Sequence, residues 1–122
     1  MLEHVEPAPA PPRVLIAEDD RTASAICARA LSNAGFETSV AFDGRAALEM
    51  LRQGSFDLVV ADMFMPAMDG LELVRAMRAD LRLTRLPVLF LTSCTEHDMR
   101  AKGYHAGCDA YLVKPVRPLD LV

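Results

Sequence analysis

The stretch that decides the fold is Leu58-Val59-Val60-Ala61-Asp62-Met63-Phe64-Met65-Pro66-Ala67-Met68-Asp69-Gly70. It opens on four consecutive apolar residues. Such a run suits a strand covered on both faces, as strands of a parallel sheet are. It then meets a single carboxylate, Asp62, and breaks at Pro66 and Gly70. Leu71 to Ala79 follows with Leu71, Val74 and Met77 in helical register. Strand, acid, loop and helix therefore succeed one another within about twenty residues, the rhythm of a strand–helix–strand unit.

The same unit recurs on both sides. Upstream, Val14 to Ala17 is wholly apolar and ends in Glu18-Asp19-Asp20. A helix is expected over about Thr22 to Asn33, with Ala23, Ile26, Cys27, Ala30 and Leu31 on its inner face and Gly35 as its stop. Glu37 to Ala41 reads as a strand. Gly44 to Gln53 reads as a helix with Ala47, Leu48 and Leu51 inward, ended by Gly54. Downstream, Val88 to Leu91 is a strand ending at Thr92, and Glu96 to Ala106 a poorer helix containing Gly103. Ala110 to Val113 is a fifth strand ending at Lys114-Pro115. Pro118 to Val122 is the first turn of a last helix. Alternating strands and helices imply an α/β protein with a parallel, doubly wound sheet. Residues 1–12, rich in proline and alanine, read as a disordered or polyproline-like lead-in, and 13–122 as one domain.

Composition narrows the class. The chain has 122 residues, 52% of them hydrophobic and 25% charged, enough for one core without staples. A net charge of −4 argues against a dedicated nucleic-acid binder. No apolar run reaches the length of a membrane span, and no signal peptide is visible, so a cytoplasmic location is expected. Cys27, Cys94 and Cys108 are widely spaced and form no metal or disulfide framework. His4, His97 and His105 read as surface residues. The methionines, Met65, Met68 and Met77 among them, read as packing.

The chemistry gathers at the strand ends. In a parallel sheet all carboxyl ends lie along one edge, where ligands bind. Here that edge collects Glu18, Asp19 and Asp20 after the first strand, Asp62 after the third, Thr92 after the fourth and Lys114 after the fifth. Asp20 also suits a plain helix cap. Crowded carboxylates repel unless a cation joins them, and an all-oxygen pocket of Glu18, Asp19 and Asp62 suits Mg²⁺ or Mn²⁺. With such a cation, Asp62 is a candidate nucleophile for an acyl phosphate, Lys114 a mobile ammonium for its oxygens, and Thr92 a hydroxyl donor. Each has an ordinary alternative as a turn, surface or strand-end residue. Lys114-Pro115 is a candidate cis peptide bond that would aim the lysine inward.

These pieces, VLIAEDD (14–20), LVVADMFMPAMDG (58–70), VLFLTS (88–93) and GCDAYLVKP (107–115), resemble the receiver domain of two-component response regulators, a flavodoxin-like fold with strand order 2-1-3-4-5. The resemblance implies that Asp62 accepts a phosphoryl group from a histidine kinase or phosphotransfer protein. It implies that Asp19, Asp62 and the Phe64 carbonyl hold the metal, with Glu18 acting through a water or more loosely. It makes Lys114 the phosphate-binding lysine, Thr92 the switch hydroxyl and Tyr111 the aromatic switch. Phe64 and Cys94 stand where side chains tune dephosphorylation. The domain would then be a switch that catalyses its own modification and demodification, with an output domain in the same longer chain and a possible phosphorylation-dependent dimer.

The family's last helix ordinarily runs further than Val122, so the helix is truncated here, and the chain is expected to be a fragment of a longer protein rather than an abbreviated domain. Rival readings remain. A haloacid-dehalogenase-type phosphatase needs a second aspartate where Phe64 stands. A pseudo-receiver would signal by protein contact alone. A nucleotide-binding flavodoxin-like protein would want a glycine-rich loop after the first strand, and none is there.

Overall fold

A computed structural model describes residues 10–92 and 107–113. Eight elements follow in chain order: β1 (Arg13–Ala17), α1 (Arg21–Asn33), β2 (Glu37–Ala41), α2 (Gly44–Gln53), β3 (Leu58–Asp62), α3 (Gly70–Ala79), β4 (Val88–Thr92) and β5 (Ala110–Val113). All strand pairings are parallel, and the order is β2-β1-β3-β4-β5. The flavodoxin-like order expected from the resemblance is therefore present. The expected helix over 96–106 and the start of the last helix lie outside the described residues, as do residues 1–9.

Alternation along β1 explains the layering. Leu15 and Ala17 join one core with Ala47, Leu48, Leu51, Leu73, Val74, Met77 and Phe90. Val14 and Ile16 face the other way, toward Cys27, Leu31, Val60 and Leu91. Side chains two apart share a face, so a strand buried on both sides must be apolar throughout. Met63, Met65 and Met77 are buried, in accord with the packing role expected of methionine.

Each described helix starts on an aspartate. Asp20 accepts hydrogen bonds from the Thr22 and Ala23 amides at 2.9 and 3.2 Å. Asp43 accepts from the Ala46 amide at 2.7 Å. Asp69 caps α3 in a reciprocal box with Glu72. A cap of this kind contributes about 1 kcal/mol by pairing amides the helix cannot satisfy itself.

One inner-face expectation needs correction. Ile26 is 52% exposed, and Ser24 is buried instead. Ser24, Cys27, Ala30 and Leu31 form the true stripe, spaced three and four residues apart, and Ile26 falls beside it. In α3 the buried set is Gly70, Leu73, Val74 and Met77, and Leu71 packs half-buried against the same core.

Candidate functional site

Register sets the site. Ala17 of β1 pairs with Ala61 of β3, so the next residue of each chain segment, Glu18 and Asp62, emerges at the same level of the sheet. The Glu18 amide is held by the Ala41 carbonyl of β2 at 3.0 Å, which continues the ladder one step past the strand. Glu18 and Asp62 are buried, and Asp19 is exposed. One carboxylate oxygen from each of Glu18, Asp19 and Asp62 lies within 4.8 Å of the others. Sequence reasoning predicted this trio, and the fold brings all three together.

Two backbone amides brace the acids. The Asp20 amide donates to Glu18 Oε1 at 3.2 Å. The Phe64 amide donates to Asp62 Oδ1 at 3.2 Å, which fixes the plane of that carboxylate. Phe64 itself is 50% exposed. Three acids this close repel one another unless a cation lies among them. Their donor set is all oxygen, two members are withdrawn from water, and one is open to solvent. That combination fits a hard divalent cation such as Mg²⁺ or Mn²⁺, which keeps waters alongside carboxylate ligands.

The loop after Asp62 is built under constraint. Ala67 has φ 66°, and the Met68 amide donates to the Pro66 carbonyl at 2.7 Å, closing a three-residue turn about it. A non-glycine residue in that region costs about 1–2 kcal/mol. Gly70 then passes directly over β3: a Cβ there would overlap the Asp62 carbonyl and crowd Met63 Cα and the Phe90 ring. The Gly70 amide donates to the Met63 carbonyl at 2.9 Å, so helix α3 starts in backbone contact with the end of β3.

Sequence reasoning missed Gly70 and the Ala67 turn. The signal for the first was available: Asp69 and Glu72, three apart, mark a capping box and place Gly70 at the first helical position. Nothing about an alanine foretells a positive φ.

The remaining predicted residues sit as follows. Thr92 closes β4 and pairs with Val113, and Tyr111 lies in β5 opposite Phe90. The side chains of Thr92 and Tyr111, and all of Lys114, Pro115 and Cys94, lie outside the described residues.

The comparisons with known proteins give the family. Residues 14–122 match the response regulator receiver domain family. The chain belongs to that family. It is 43% identical over 104 residues to the chemotaxis protein CheY of Pseudomonas aeruginosa, covering 84% of each chain. It is 34% identical to the DNA-binding response regulator MtrA of Mycolicibacterium paratuberculosis, covering 90% of this chain and 48% of that one. Its fold superposes on the chemotaxis response regulator CheY4 of Vibrio cholerae with a TM-score of 0.87 and 33% identity, over 91% of this chain and 92% of the other. It is a receiver domain of two-component signalling. No helix among the described residues is long and apolar enough to cross a membrane.

Proposed function

We propose that Asp62 is the phosphoacceptor of this receiver domain and that Glu18, Asp19 and Asp62 form its cation site. The observation that carries the reading is the meeting of three carboxylates within 4.8 Å at the carboxyl edge of the sheet, with Asp62 oriented by the Phe64 amide. Asp19, Asp62 and the Phe64 carbonyl would hold Mg²⁺ or Mn²⁺, with Glu18 acting through a water. A bound cation of this kind neutralises phosphoryl oxygens, so that a carboxylate and a phosphoryl group can approach each other.

The donor is a phosphohistidine on a histidine kinase or phosphotransfer protein. An Asp62 carboxylate oxygen attacks phosphorus in line. The O–P bond forms as the P–N bond to imidazole breaks, and the imidazole leaves with that electron pair. Lys114 pairs its ammonium with one phosphoryl oxygen, and the Thr92 hydroxyl donates to another. Reset is hydrolysis: water attacks phosphorus and Asp62 departs as carboxylate. The domain thus catalyses its own phosphorylation and dephosphorylation.

New charge at Asp62 draws Thr92 inward, and Tyr111 follows. That shifts the population between two conformers of the β4–β5 side of the domain. The output, in a cytoplasmic setting, passes to a further module of a longer chain or to a phosphorylation-dependent dimer.

The test is intact-mass spectrometry after incubation with acetyl phosphate and Mg²⁺. One added phosphoryl group is expected, absent with EDTA and absent in Asp62→Asn. No adduct in the wild type, together with no beryllofluoride binding, overturns the assignment and favours a receiver fold that acts by contact alone.

A further inference from the structure

The amino edge of the sheet carries a second polar constellation, unrelated to the acids. Its centre is Arg78, in the last turn of α3. Its Nε and Nη2 both donate to the Gly107 carbonyl, at 3.0 and 2.8 Å. Its Nη1 donates to the carbonyls of Leu83, Thr84 and Leu86, at 3.3, 3.2 and 2.7 Å. Its Nη2 also meets Asp109 Oδ2 at 3.1 Å. Asp109 in turn accepts from the Val88 amide at 2.9 Å, and its own amide donates to the Val88 carbonyl at 2.8 Å. One guanidinium therefore ties together the end of α3, the loop before β4 and the approach to β5.

Gly107 fits this clamp by having no side chain. Its φ is +115°, and a Cβ would lie 2.9 Å from Arg78 Cγ. The chain thus lies flat on the arginine stem just before β5 starts.

β5 needs such an anchor. It is four residues long and stands at the end of the strand order, paired only with β4 among the described residues. Short edge strands are weakly specified, and a slip of one residue would turn every side chain to the other face. A strand of four residues spans roughly 13 Å and is stiff along its length. A shift at Gly107 is therefore a shift at Val113, and Lys114 follows Val113 directly in the chain.

We propose that Arg78 is a positioning residue for phosphoryl binding. It fixes the register of β5 from the amino edge, and so fixes Val113, from which the chain continues to the proposed phosphate-binding Lys114. This inference rests on the phosphoacceptor reading of Asp62. The three acids sit on or beside β1 and β3, and among the described residues neither Arg78 nor Asp109 hydrogen-bonds to either strand. The two halves of the site should therefore come apart: loosening the clamp should weaken phosphoryl binding and leave cation binding alone.

The experiment compares wild type with Arg78→Lys, Arg78→Met and the milder Asp109→Asn. Asp109→Asn keeps an oxygen for the Val88 amide and removes the ion pair. Mn²⁺ affinity is read by electron paramagnetic resonance. Beryllofluoride affinity is read by fluorine NMR, and the acetyl phosphate concentration for half-maximal labelling by mass spectrometry. Amide hydrogen exchange in β5 is compared with that in β1. The expected result for Arg78→Met is a roughly tenfold or greater loss in beryllofluoride and acetyl phosphate affinity, in line with the cost of small misplacements. Faster exchange should be confined to β5 and the start of β4, with Mn²⁺ affinity unchanged. Arg78→Lys should recover only part, because an ammonium cannot reproduce the fork. Asp109→Asn should shift the same readouts less, and it decides the matter if Arg78→Met does not fold. Unchanged phosphoryl affinity despite faster β5 exchange would overturn the proposal. So would a parallel loss of Mn²⁺ and beryllofluoride affinity, which marks a general structural role. A wild type that binds Mn²⁺ but neither beryllofluoride nor phosphate instead defeats the phosphoacceptor reading, and the role of Arg78 falls with it.

Discussion

The two ends of the sheet solve opposite electrostatic problems. At the carboxyl edge, Glu18, Asp19 and Asp62 bring like charges within 4.8 Å of one another, beside a loop with Ala67 in a left-handed turn. At the amino edge, Arg78 meets four backbone carbonyls and a carboxylate. The first end gathers like charge and, under the proposed function, is poised for a cation. The second is satisfied within the chain and holds shape. Strain and crowded charge persist only where the surrounding structure over-determines them, and they concentrate at functional sites. The contrast indicates which end can be altered for stability at the expense of activity, and which cannot be altered cheaply at all.

The sharpest way to break that contrast is at Gly70, where scaffold and site touch. A Cβ there would meet the Asp62 carbonyl and Met63 Cα, both backbone atoms that no side-chain rotation relieves. Gly70→Ala should therefore push α3 off β3. A loss of about 3 kcal/mol in stability is expected, as for a severe case of overpacking. Cation affinity should fall as well. Urea unfolding and a Mn²⁺ titration of the same variant check both. A variant as stable as wild type, with its cation site intact, would show that α3 is not seated as described.

A second test uses the crowding itself. Mg²⁺ at roughly a hundred times its dissociation constant should stabilise the wild type by about 2.7 kcal/mol, through mass action on the folded state alone. Asp62→Asn keeps an oxygen for the Phe64 amide and removes one charge of the three. Without metal it should stay within about 1 kcal/mol of wild type, because the oxygen that accepts from the Phe64 amide is kept. Much of the Mg²⁺ increment should vanish. Thermal unfolding with and without Mg²⁺ reads both quantities. An Asp62→Asn variant that keeps the full Mg²⁺ increment would mean Asp62 is not among the cation's ligands.

Much of this contrast is legible in the sequence, but unequally. The strands are plain because each is buried on both faces, so Val14 to Ala17 and Leu58 to Ala61 read as unbroken apolar runs. The acids are plain because a carboxylate directly after such a run has few ordinary reasons to be there. Helix faces were harder to place. Ile26 is apolar and near the inner stripe, yet Ser24 holds the buried position. Hydrophobicity alone does not resolve an angle that small. The amino-edge clamp left no trace at all. Arg78 binds mainly backbone carbonyls, and carbonyls carry no residue identity. Its one side-chain partner, Asp109, lies thirty-one residues away and shows no pattern. In the sequence Gly107 stands only as part of a motif, and Cys108 only there and as one of three widely spaced cysteines.

Cys108 supplies the smallest and most specific test, because it lies inside that clamp. It is buried between Gly107 and Asp109, and burial pushes its thiol up to about 11, with the Asp109 carboxylate adding and Arg78 opposing. The folded chain therefore holds this proton more tightly than the unfolded chain, which releases it near the ordinary value of 9.0. Stability from this group is complete below about pH 9 and declines as pH rises toward 11, since only the unfolded state loses the proton there. The expected loss is about 1 kcal/mol by pH 10. Cys108→Ala should unfold with a shallower dependence on pH across that interval, even if its stability at neutral pH is somewhat lower. Asp109→Asn should flatten the slope in part, because it removes the nearest negative charge. At pH 8 the thiol should react slowly with iodoacetamide in the folded protein, and Arg78→Met should speed it by opening the clamp. Rapid alkylation of the wild type at Cys108 would show that the amino edge opens readily. The distinction between a poised end and a fixed end would then fail at the fixed one.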